Sequence, residues 1–395
     1  MLNNFEFNDH VFWKVLGTKF YNKFDALTSA TQLNADISFH FYDNVFEQYN
    51  KALLGKQNLN DLYKQRAQQL RDEYDYLILY FSGGSDSYNI LRTFIDNNIK
   101  LDEVCVKWPM LTVDKKLYTP NTIDTSAFNY LSEWDYAIKP VLDWLNQTRP
   151  EIKIEIVDWS ENFTSKIYVE DNFRKANVWN DVEIGFTLSS SKNEMLLLDK
   201  GKRVACIYGI DKPIVASING NWLCCFLDTA VGVGNAMDYN RNSIEYFYWT
   251  PKMPNIPLEQ AHVLCSYVDQ HPEIKQFFFN NDSVNLTPQE KNVLISIQSN
   301  ITKSVIYTTW NGNFQSDKPM QADRADKQSW IFNHPEFELE RNTFINVNSE
   351  FLSQINEKFI ITESNGYQLP GKVRGLFNTC KTKWHYVKPV AVPQI

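Results

Sequence analysis

Residues 76–87 read YLILYFSGGSDS, and this stretch decides the fold. Its first six residues are apolar or aromatic at every position, which is typical of a central strand in a parallel sheet that is covered on both faces. Two consecutive glycines then interrupt the strand. From Tyr88 to Asn97, apolar residues recur at helical spacing. The stretch therefore predicts a strand, a glycine-rich loop and a helix in direct succession.

The segments after this helix continue the alternation of strands and helices. Residues 101–106 form a second strand candidate, which completes one β–α–β unit with a right-handed crossover. Residues 204–208 form another buried strand candidate, and isoleucines that alternate with charged residues over 152–156 indicate an exposed edge strand. We expect an α/β fold with a parallel twisted sheet and helices on both of its faces.

Three regions of the chain differ in character. Residues 1–74 are mixed but largely helical in pattern, so we expect a mainly helical N-terminal extension. Residues 75–240 carry the α/β alternation and include a hairpin signal, Asn219-Gly220, between two apolar runs. Residues 241–395 show helix signals between proline-rich and aromatic loops, which predicts a mainly helical, aromatic-rich C-terminal domain.

The composition limits the function classes. The chain has 395 residues and a formal net charge of −8, which disfavours a nucleic-acid partner but leaves room for a local basic cleft. The sequence contains no apolar run of membrane-spanning length and no signal-peptide pattern, so we expect a cytoplasmic protein without membrane contact. Six scattered cysteines without CxxC spacing indicate buried free thiols in a reducing compartment, and they give no sequence-local zinc site.

The glycine-rich loop has the chemistry of a phosphate-binding site. Two glycines let backbone N–H groups approach an anion, and the unpaired N–H groups of the following helix favour negative charge. Serine hydroxyls can donate to phosphate oxygens, whereas Asp86 would repel phosphate and fits a Mg²⁺ ligand and a catalytic role. The alternative is an ordinary turn between a strand and a helix. The candidate binding residues are Ser82, Gly83, Gly84, Ser85, Asp86 and Ser87.

The pattern SGGxDS between a strand and a helix resembles the loop of the PP-loop ATP pyrophosphatases. It is most similar to their N-type group, which is related to asparagine synthetase, argininosuccinate synthetase, GMP synthetase and 7-cyano-7-deazaguanine synthase. The resemblance covers residues 75–110 and, more loosely, the chain to about residue 230. It implies an adenine nucleotide alpha-hydrolase-like fold, ATP and Mg²⁺ as cofactors, and a loop that grips the pyrophosphate of ATP while a substrate attacks the α-phosphorus.

A second candidate loop, residues 209–213, follows the buried strand at 204–208. Open α/β sheets bind ligands at the carboxyl ends of their strands, so both loops should face one crevice. Lys212 could neutralise charge on a leaving pyrophosphate, and Asp211 could add a second metal contact. The alternative is a turn with a surface lysine.

Three further segments are candidates for smaller roles. Residues 314–319, with Tyr307 and Trp310 before them, could line a substrate pocket or form a plain loop. The aromatic run at 246–249 fits a packing anchor, and His262 fits a hydrogen-bonded buried histidine. These segments look similar to uncharacterised PP-loop proteins encoded by large bacteriophages.

The chain departs from the named relatives in ways that leave its reaction open. Its first cysteine is Cys105, so we expect no glutaminase nucleophile at the N-terminus, and the adjacent Cys224 and Cys225 do not suit a disulfide relay. We therefore expect an AMP-forming, ligase-like enzyme that adenylates a small-molecule substrate for a nitrogen nucleophile. The alternatives are an enzyme that modifies a nucleobase or tRNA, and a non-catalytic nucleotide-binding protein. The oligomeric state stays open, with a homo-oligomer among the options.

Overall fold

A computed structural model describes residues 10–108, 110, 134–158, 191–210, 212–228, 244–278, 288–310, 353–359 and 380–391. The first part contains β1 (Val11–Val15), β2 (Thr18–Phe20), α1 (Lys23–Gln32), β3 (Ser38–Phe41), α2 (Asp43–Gln48) and α3 (Leu59–Glu73). The middle part contains β4 (Tyr76–Tyr80), α4 (Ser85–Asp96), β5 (Glu103–Trp108), α5 (Lys139–Thr148), β6 (Lys153–Asp158), α6 (Lys192–Asp199), β7 (Val204–Tyr208), β8 (Ile214–Ile218) and β9 (Asn221–Cys225). The last part contains β10 (Ile244–Tyr246), α7 (Asn255–Gln270), α8 (Pro272–Lys275), α9 (Pro288–Ile306) and β11 (His385–Pro389).

The central sheet confirms the α/β class. Its five strands are all parallel and lie in the order β10-β7-β4-β5-β6. Strand β4, which the opening stretch of sequence predicts, is the central strand, and β6 lies at an edge as its alternating pattern predicts. The chain runs from β4 outward to β6 and then returns to place β7 on the other side of β4. The strand order therefore reverses between β4 and β7.

The two faces of the sheet belong to different hydrophobic clusters, because alternate side chains of a strand point to opposite faces. Leu77 and Leu79 join a large core that includes residues of α3 and α4. Ile78 and Tyr80 join a smaller cluster against which Leu197 of α6 packs. Each face of β4 thus meets apolar side chains, which explains why this strand is apolar throughout.

The N-terminal region contains a sheet that the sequence pattern did not predict. Helices α1 to α3 agree with the expected helical extension, but β1, β2 and β3 form an antiparallel sheet in the order β2-β1-β3. Val11, Trp13 and Val15 of β1 are buried, and the residues between them face outward. Strands of three to five residues contain too few repeats of the alternation between apolar and polar residues to be predicted with ease. The longer helical patterns around them therefore dominated the sequence-based expectation.

The region after residue 240 supplies strands to two sheets, so it is not the separate helical unit that we expected. Strand β10 is the fifth strand of the central sheet, and β11 pairs with β9 of the predicted β8–β9 hairpin. Asn219 and Gly220 of that hairpin have φ of 49° and 74°, as a two-residue turn of this kind requires. One hydrophobic core joins residues from all three expected regions. The boundary near 240 therefore cuts through the sheet, because strand pairing over long sequence separations leaves no local pattern.

A proline, the cysteines and the lengths of the helices give three smaller observations on the described chain. Pro140 lies in the first turn of α5, directly after a π-helical turn at Trp134–Ile138, where a missing backbone N–H costs no helical hydrogen bond. All six cysteines are free, and five of them are buried. Among the helices that the structure describes, none has both the length and the apolar character needed to cross a membrane.

Candidate functional site

The glycine-rich loop connects β4 to α4 at the carboxyl end of the central strand. Gly83 has φ +73°, a left-handed conformation that side chains rarely adopt. A Cβ atom at this position would lie 2.7 Å from Cγ1 of Ile138 and 3.2 Å from Cβ of Ala137. Glycine is therefore required at residue 83 for both conformation and space, and its backbone comes close to the turn before α5.

Two serines brace the loop by hydrogen bonds to each other and to the backbone. The Ser82 amide donates to Oγ of Ser87 at 3.2 Å, and the Gly84 amide donates to Oγ of Ser82 at 3.4 Å. The buried Ser87 hydroxyl donates to the Gly84 carbonyl at 3.1 Å. The only hydroxyl proton of Ser87 is therefore used within the loop and does not face a phosphate, as we had expected it to. Ser82, by contrast, is exposed to solvent.

The start of α4 presents polar groups that the loop leaves unpaired. The N-cap residue is Gly84, and no side chain caps this helix. Ser85 is 3% exposed, yet its Oγ has no hydrogen-bond partner in the part of the chain that the structure describes. Buried hydroxyl groups are normally hydrogen-bonded, so this one indicates a ligand or a water molecule at the site. A helix N-terminus in this state favours an anion.

Asp86 meets two side chains from distant parts of the chain. Its Oδ1 accepts hydrogen bonds from Nζ of Lys212 at 3.1 Å and from the Tyr307 hydroxyl at 2.6 Å. Burial alone would raise the pKa of Asp86, but the charges of Lys212 and Lys303 and the Tyr307 hydrogen bond outweigh it. Together they hold the pKa of Asp86 well below its ordinary value. The carboxylate is therefore ionised at neutral pH and surrounded by cationic groups.

The two predicted loops lie against each other at the point where the strand order reverses. A Cβ atom on Gly209 would lie 3.1 Å from both Cβ of Asp86 and the Ser87 amide nitrogen. The ion pair between Lys212 and Asp86 crosses the same boundary. The structure thus brings residues 82–87 and Lys212 together at the carboxyl ends of neighbouring strands. Asp211 lies outside the described residues, and those described contain no group of three or more side chains that could hold a metal ion.

A second set of polar residues, which the sequence pattern did not reveal, supports the first turn of α4. The Tyr248 hydroxyl donates to the Asp86 carbonyl at 2.9 Å and accepts from Nδ2 of Asn89 at 3.0 Å. The Thr309 hydroxyl donates to Oδ1 of Asn89 at 2.9 Å. Tyr248 belongs to the aromatic run that we assigned to packing. Its position just after β10 could have indicated the site, because residues at strand ends line such crevices.

The remaining candidates give a mixed result. Residues 314–319 lie outside the described part of the chain, although Tyr307, expected beside them, contacts Asp86. Phe247, Tyr248 and Trp249 are fully buried, as a packing anchor requires. The expectation for His262 was wrong in one respect, because its buried Nδ1 has no hydrogen-bond partner among the described residues.

No protein-family model, no curated protein and no solved structure matches this chain. The functional assignment therefore depends on the geometry of the site and on the sequence pattern of the loop.

Proposed function

We propose that this chain is an ATP pyrophosphatase of the N-type PP-loop family. It would bind ATP at residues 82–87 and cleave it between the α and β phosphates, which adenylates an oxygen of a small-molecule substrate. A nitrogen nucleophile would then displace AMP. The observation that carries the proposal is the glycine-rich loop between β4 and α4, which opens where the strand order reverses and faces Lys212.

Three features of the loop fit a phosphate group. Gly83 allows the backbone a close approach that a side chain would block. The uncapped start of α4 offers N–H groups, whose partial positive charge attracts anions. The unpaired hydroxyl of Ser85 adds a buried donor at the same place. An ordinary turn would satisfy its own polar groups, so these features favour a ligand over a purely structural loop.

The local charge fits a pyrophosphate leaving group. Two lysines, Lys212 and Lys303, act on the single carboxylate of Asp86, so these three side chains carry a net positive charge although the whole chain is acidic. Lys212 Nζ already lies beside the start of α4 and would pair with the departing pyrophosphate. This contribution to catalysis is electrostatic, because the ammonium group is held in place before charge develops.

The residues also fit Mg²⁺ that arrives with the nucleotide. Mg²⁺ sites commonly use one or two carboxylates together with substrate phosphates and water, and they do not need a complete cage of protein ligands. Asp86 would be that carboxylate, with Asp211 as a second one. The metal would neutralise phosphate charge, while Tyr307 and the Lys212 side chain hold the Asp86 carboxylate in position.

The sheet supports the proposal by analogy. Counted along the chain, its strands lie in the order third, second, first, fourth, fifth. Doubly wound nucleotide-binding sheets begin with this order and bind their ligands at the reversal point. Fold alone does not establish an activity, so the adenine nucleotide alpha-hydrolase-like architecture is part of the proposal. The free cysteines fit a reducing compartment, and we place the reaction in the cytoplasm on that ground.

The test follows the fate of ATP labelled at the α-phosphate. The intact protein is incubated with this ATP, Mg²⁺ and a pooled small-molecule extract, and AMP is separated from ADP. We expect AMP, and we expect Lys212→Met to lower its formation about 100-fold, as removal of one electrostatic donor does. Lys200→Met, at an exposed lysine after α6, is the matched control and should leave AMP formation unchanged. ADP as the only product would contradict the proposal.

One observation favours a second candidate, a nucleotide-binding protein without turnover. The Asp86 carboxylate is already held by Lys212 and Tyr307, so these contacts could serve only to fix the loop. In that case ATP raises the melting temperature of the protein, and no AMP forms with any fraction of the extract. Formation of AMP that depends on Lys212 excludes this candidate.

A further inference from the structure

A second cluster of reactive side chains lies on the outer face of the N-terminal sheet. The Ser38 hydroxyl lies 3.0 Å from Nε2 of His40, and Nδ1 of His40 lies 2.7 Å from Oδ2 of Asp43. Acyl-transfer enzymes use the same order of contacts, with a serine as nucleophile, a histidine as base and a carboxylate that orients the histidine. Such triads are recognised by their geometry and not by their positions in the sequence.

The local backbone explains why these three residues meet. Phe39 and Phe41 point into the core, so the alternation of β3 puts Ser38 and His40 on the same outer face. Tyr42 then adopts a left-handed conformation with φ 47°, which turns the chain sharply into α2. This turn returns Asp43 towards His40, and Oδ1 of Asp43 accepts the Phe41 amide at 3.3 Å.

The conformation of Tyr42 is unusual for a residue with a large side chain. A left-handed residue other than glycine costs on the order of 1 kcal/mol, and such residues concentrate at functional sites. The Tyr42 amide donates to the His10 carbonyl at 2.8 Å, and its ring stacks on that of His10. The surrounding contacts therefore hold the strained turn that places Asp43.

The contacts of His40 assign the tautomer of its neutral ring, and this tautomer is the one that a general base needs. A carboxylate only accepts hydrogen bonds, so the proton of the neutral ring is on Nδ1, facing Asp43. The lone pair of Nε2 then faces the Ser38 hydroxyl, whose other acceptor, the Lys14 carbonyl, is more distant at 3.5 Å. The Phe12 ring stacks on the imidazole at 4.7 Å and fixes its plane.

The same face carries positive charge beside the serine. Lys14 of β1 is the cross-strand neighbour of Ser38, and Lys19 of β2 is the neighbour of Lys14. The Cβ atoms of such pairs are about 5 Å apart, which brings the Lys14 ammonium group within reach of an oxygen bonded at Ser38. Ser38 is exposed, so a substrate can reach it from solvent.

We propose that Ser38, His40 and Asp43 form an esterase site that is separate from the nucleotide loop, with Lys14 as the group that stabilises the oxyanion. Ser38 Oγ bonds to the carbonyl carbon of a small ester, and its proton passes to Nε2 of His40. The C–O bond of the ester breaks, and the alcohol leaves with that proton. Water then attacks the acyl group on Ser38, which releases the acid and restores the hydroxyl. The two lysines favour esters that carry a negative charge.

The test uses the intact chain and a fluorophosphonate, which bonds to an activated serine with loss of fluoride. We expect one phosphonyl group per chain, mapped to Ser38 by peptide mass analysis. Ser38→Ala abolishes the label, and Asp43→Asn lowers the labelling rate about 100-fold, since general-base assistance contributes at least that much. Ser304→Ala is the matched control, because Ser304 is also exposed but donates to a backbone carbonyl.

A second measurement separates this site from the nucleotide loop and from effects on folding. Hydrolysis of a p-nitrophenyl ester should fall with Ser38→Ala and Lys14→Met and stay unchanged with Lys212→Met. Each variant is checked by its melting temperature, which the substitutions at the exposed Ser38 and Lys14 should leave nearly unchanged. Labelling of Ser38 no faster than that of Ser304, or equal labelling of wild type and Asp43→Asn, would mean a structural hydrogen bond only and would overturn the proposal.

Discussion

At the residue scale, Asp86 shows how one side chain can join distant parts of a chain. It belongs to the first turn of α4, its carboxylate binds Lys212 and Tyr307, and its carbonyl binds Tyr248. Tyr307 is 221 residues away along the chain. The loop sequence identifies Asp86 as special because a carboxylate is unusual among phosphate-binding residues. It gives no indication of which side chains meet it, since a contact over that separation depends on the whole fold.

The depressed pKa of Asp86 makes a pH-dependent contribution to stability. The unfolded carboxyl group has a pKa of about 3.9, and the folded one lies lower. Its contribution is therefore fully present above the unfolded pKa and is lost as the pH falls through it towards the folded pKa. We expect the difference in unfolding free energy between wild type and Asp86→Asn to be about 1 kcal/mol smaller at pH 3 than at pH 7.

Urea unfolding of both proteins across this range measures the effect. Asp36→Asn is the matched control, because Asp36 is 97% exposed and pairs only with the surface residue Lys358 in the described structure. Substitution of this exposed residue should change the unfolding free energy by no more than about 0.5 kcal/mol. A constant difference for Asp86→Asn would contradict the assigned direction of the pKa.

At the element scale, the succession of β4, loop and α4 was predictable, and the smaller strands were not. Strand β4 is apolar because both of its faces are covered, and the helical stripe of α4 has a clear period. These signals are local. Strand β10 has only three residues, and its partner β7 lies far back in the chain, so its place in the sheet depends on packing that no local window contains.

The connection between β4 and α4 should be sensitive to a single methyl group. Gly83→Ala adds a Cβ atom 2.7 Å from Ile138 Cγ1 in a residue with φ +73°. We expect a loss of about 2–4 kcal/mol in unfolding free energy, from overpacking together with the left-handed conformation. The proposed binding of ATP should weaken in parallel, because the backbone must move.

Gly220→Ala is the control that measures the loss of stability caused by the left-handed backbone conformation alone, without a steric clash. Gly220 has a nearly identical φ of +74°, but a Cβ atom there would meet nothing within 4 Å. We expect about 1–2 kcal/mol for it. Denaturant unfolding of both variants gives the comparison, and equal losses would show that the contact with Ile138 has no cost.

At the scale of the whole molecule, a buried ion pair joins three distant segments. Lys23 of α1 pairs with Asp228 at 2.8 Å, and both side chains are fully buried. The Asp228 carboxylate also accepts hydrogen bonds from Nε1 of Trp13 at 2.8 Å and from the amide of Cys380 at 3.0 Å. The three regions that differ in sequence pattern are therefore held together by one carboxylate as well as by a common core. Composition alone suggested separate domains because neither this ion pair nor the common core leaves a local pattern in the sequence.

Removing only the lysine of this pair should lower the unfolding free energy more than removing both charges of the pair. Lys23→Met leaves the Asp228 carboxylate buried without its cation, which typically costs about 3–5 kcal/mol. Adding Asp228→Asn removes that charge and keeps one acceptor oxygen, so the double variant should be more stable than Lys23→Met alone. Lys139→Met, at an exposed pair with Asp143, should change stability by less than about 1 kcal/mol. Chemical unfolding of the four proteins decides the order, and a double variant less stable than Lys23→Met would refute it.

The pairing of β11 with β9 also imposes a delay on folding during synthesis, because β11 is made long after β9. The Phe226 amide donates to the Thr382 hydroxyl, 156 residues later in the sequence. At a synthesis rate of 5–20 residues per second, roughly 8–30 s pass before the partner of β9 exists. During that interval the edge of β9 has unpaired N–H and C=O groups, which can recruit a strand from another chain. Closely spaced ribosomes on one messenger RNA hold several incomplete chains near each other, and these chains would aggregate through the exposed edge of β9. Slower initiation of translation would space the ribosomes further apart and increase the yield of folded protein.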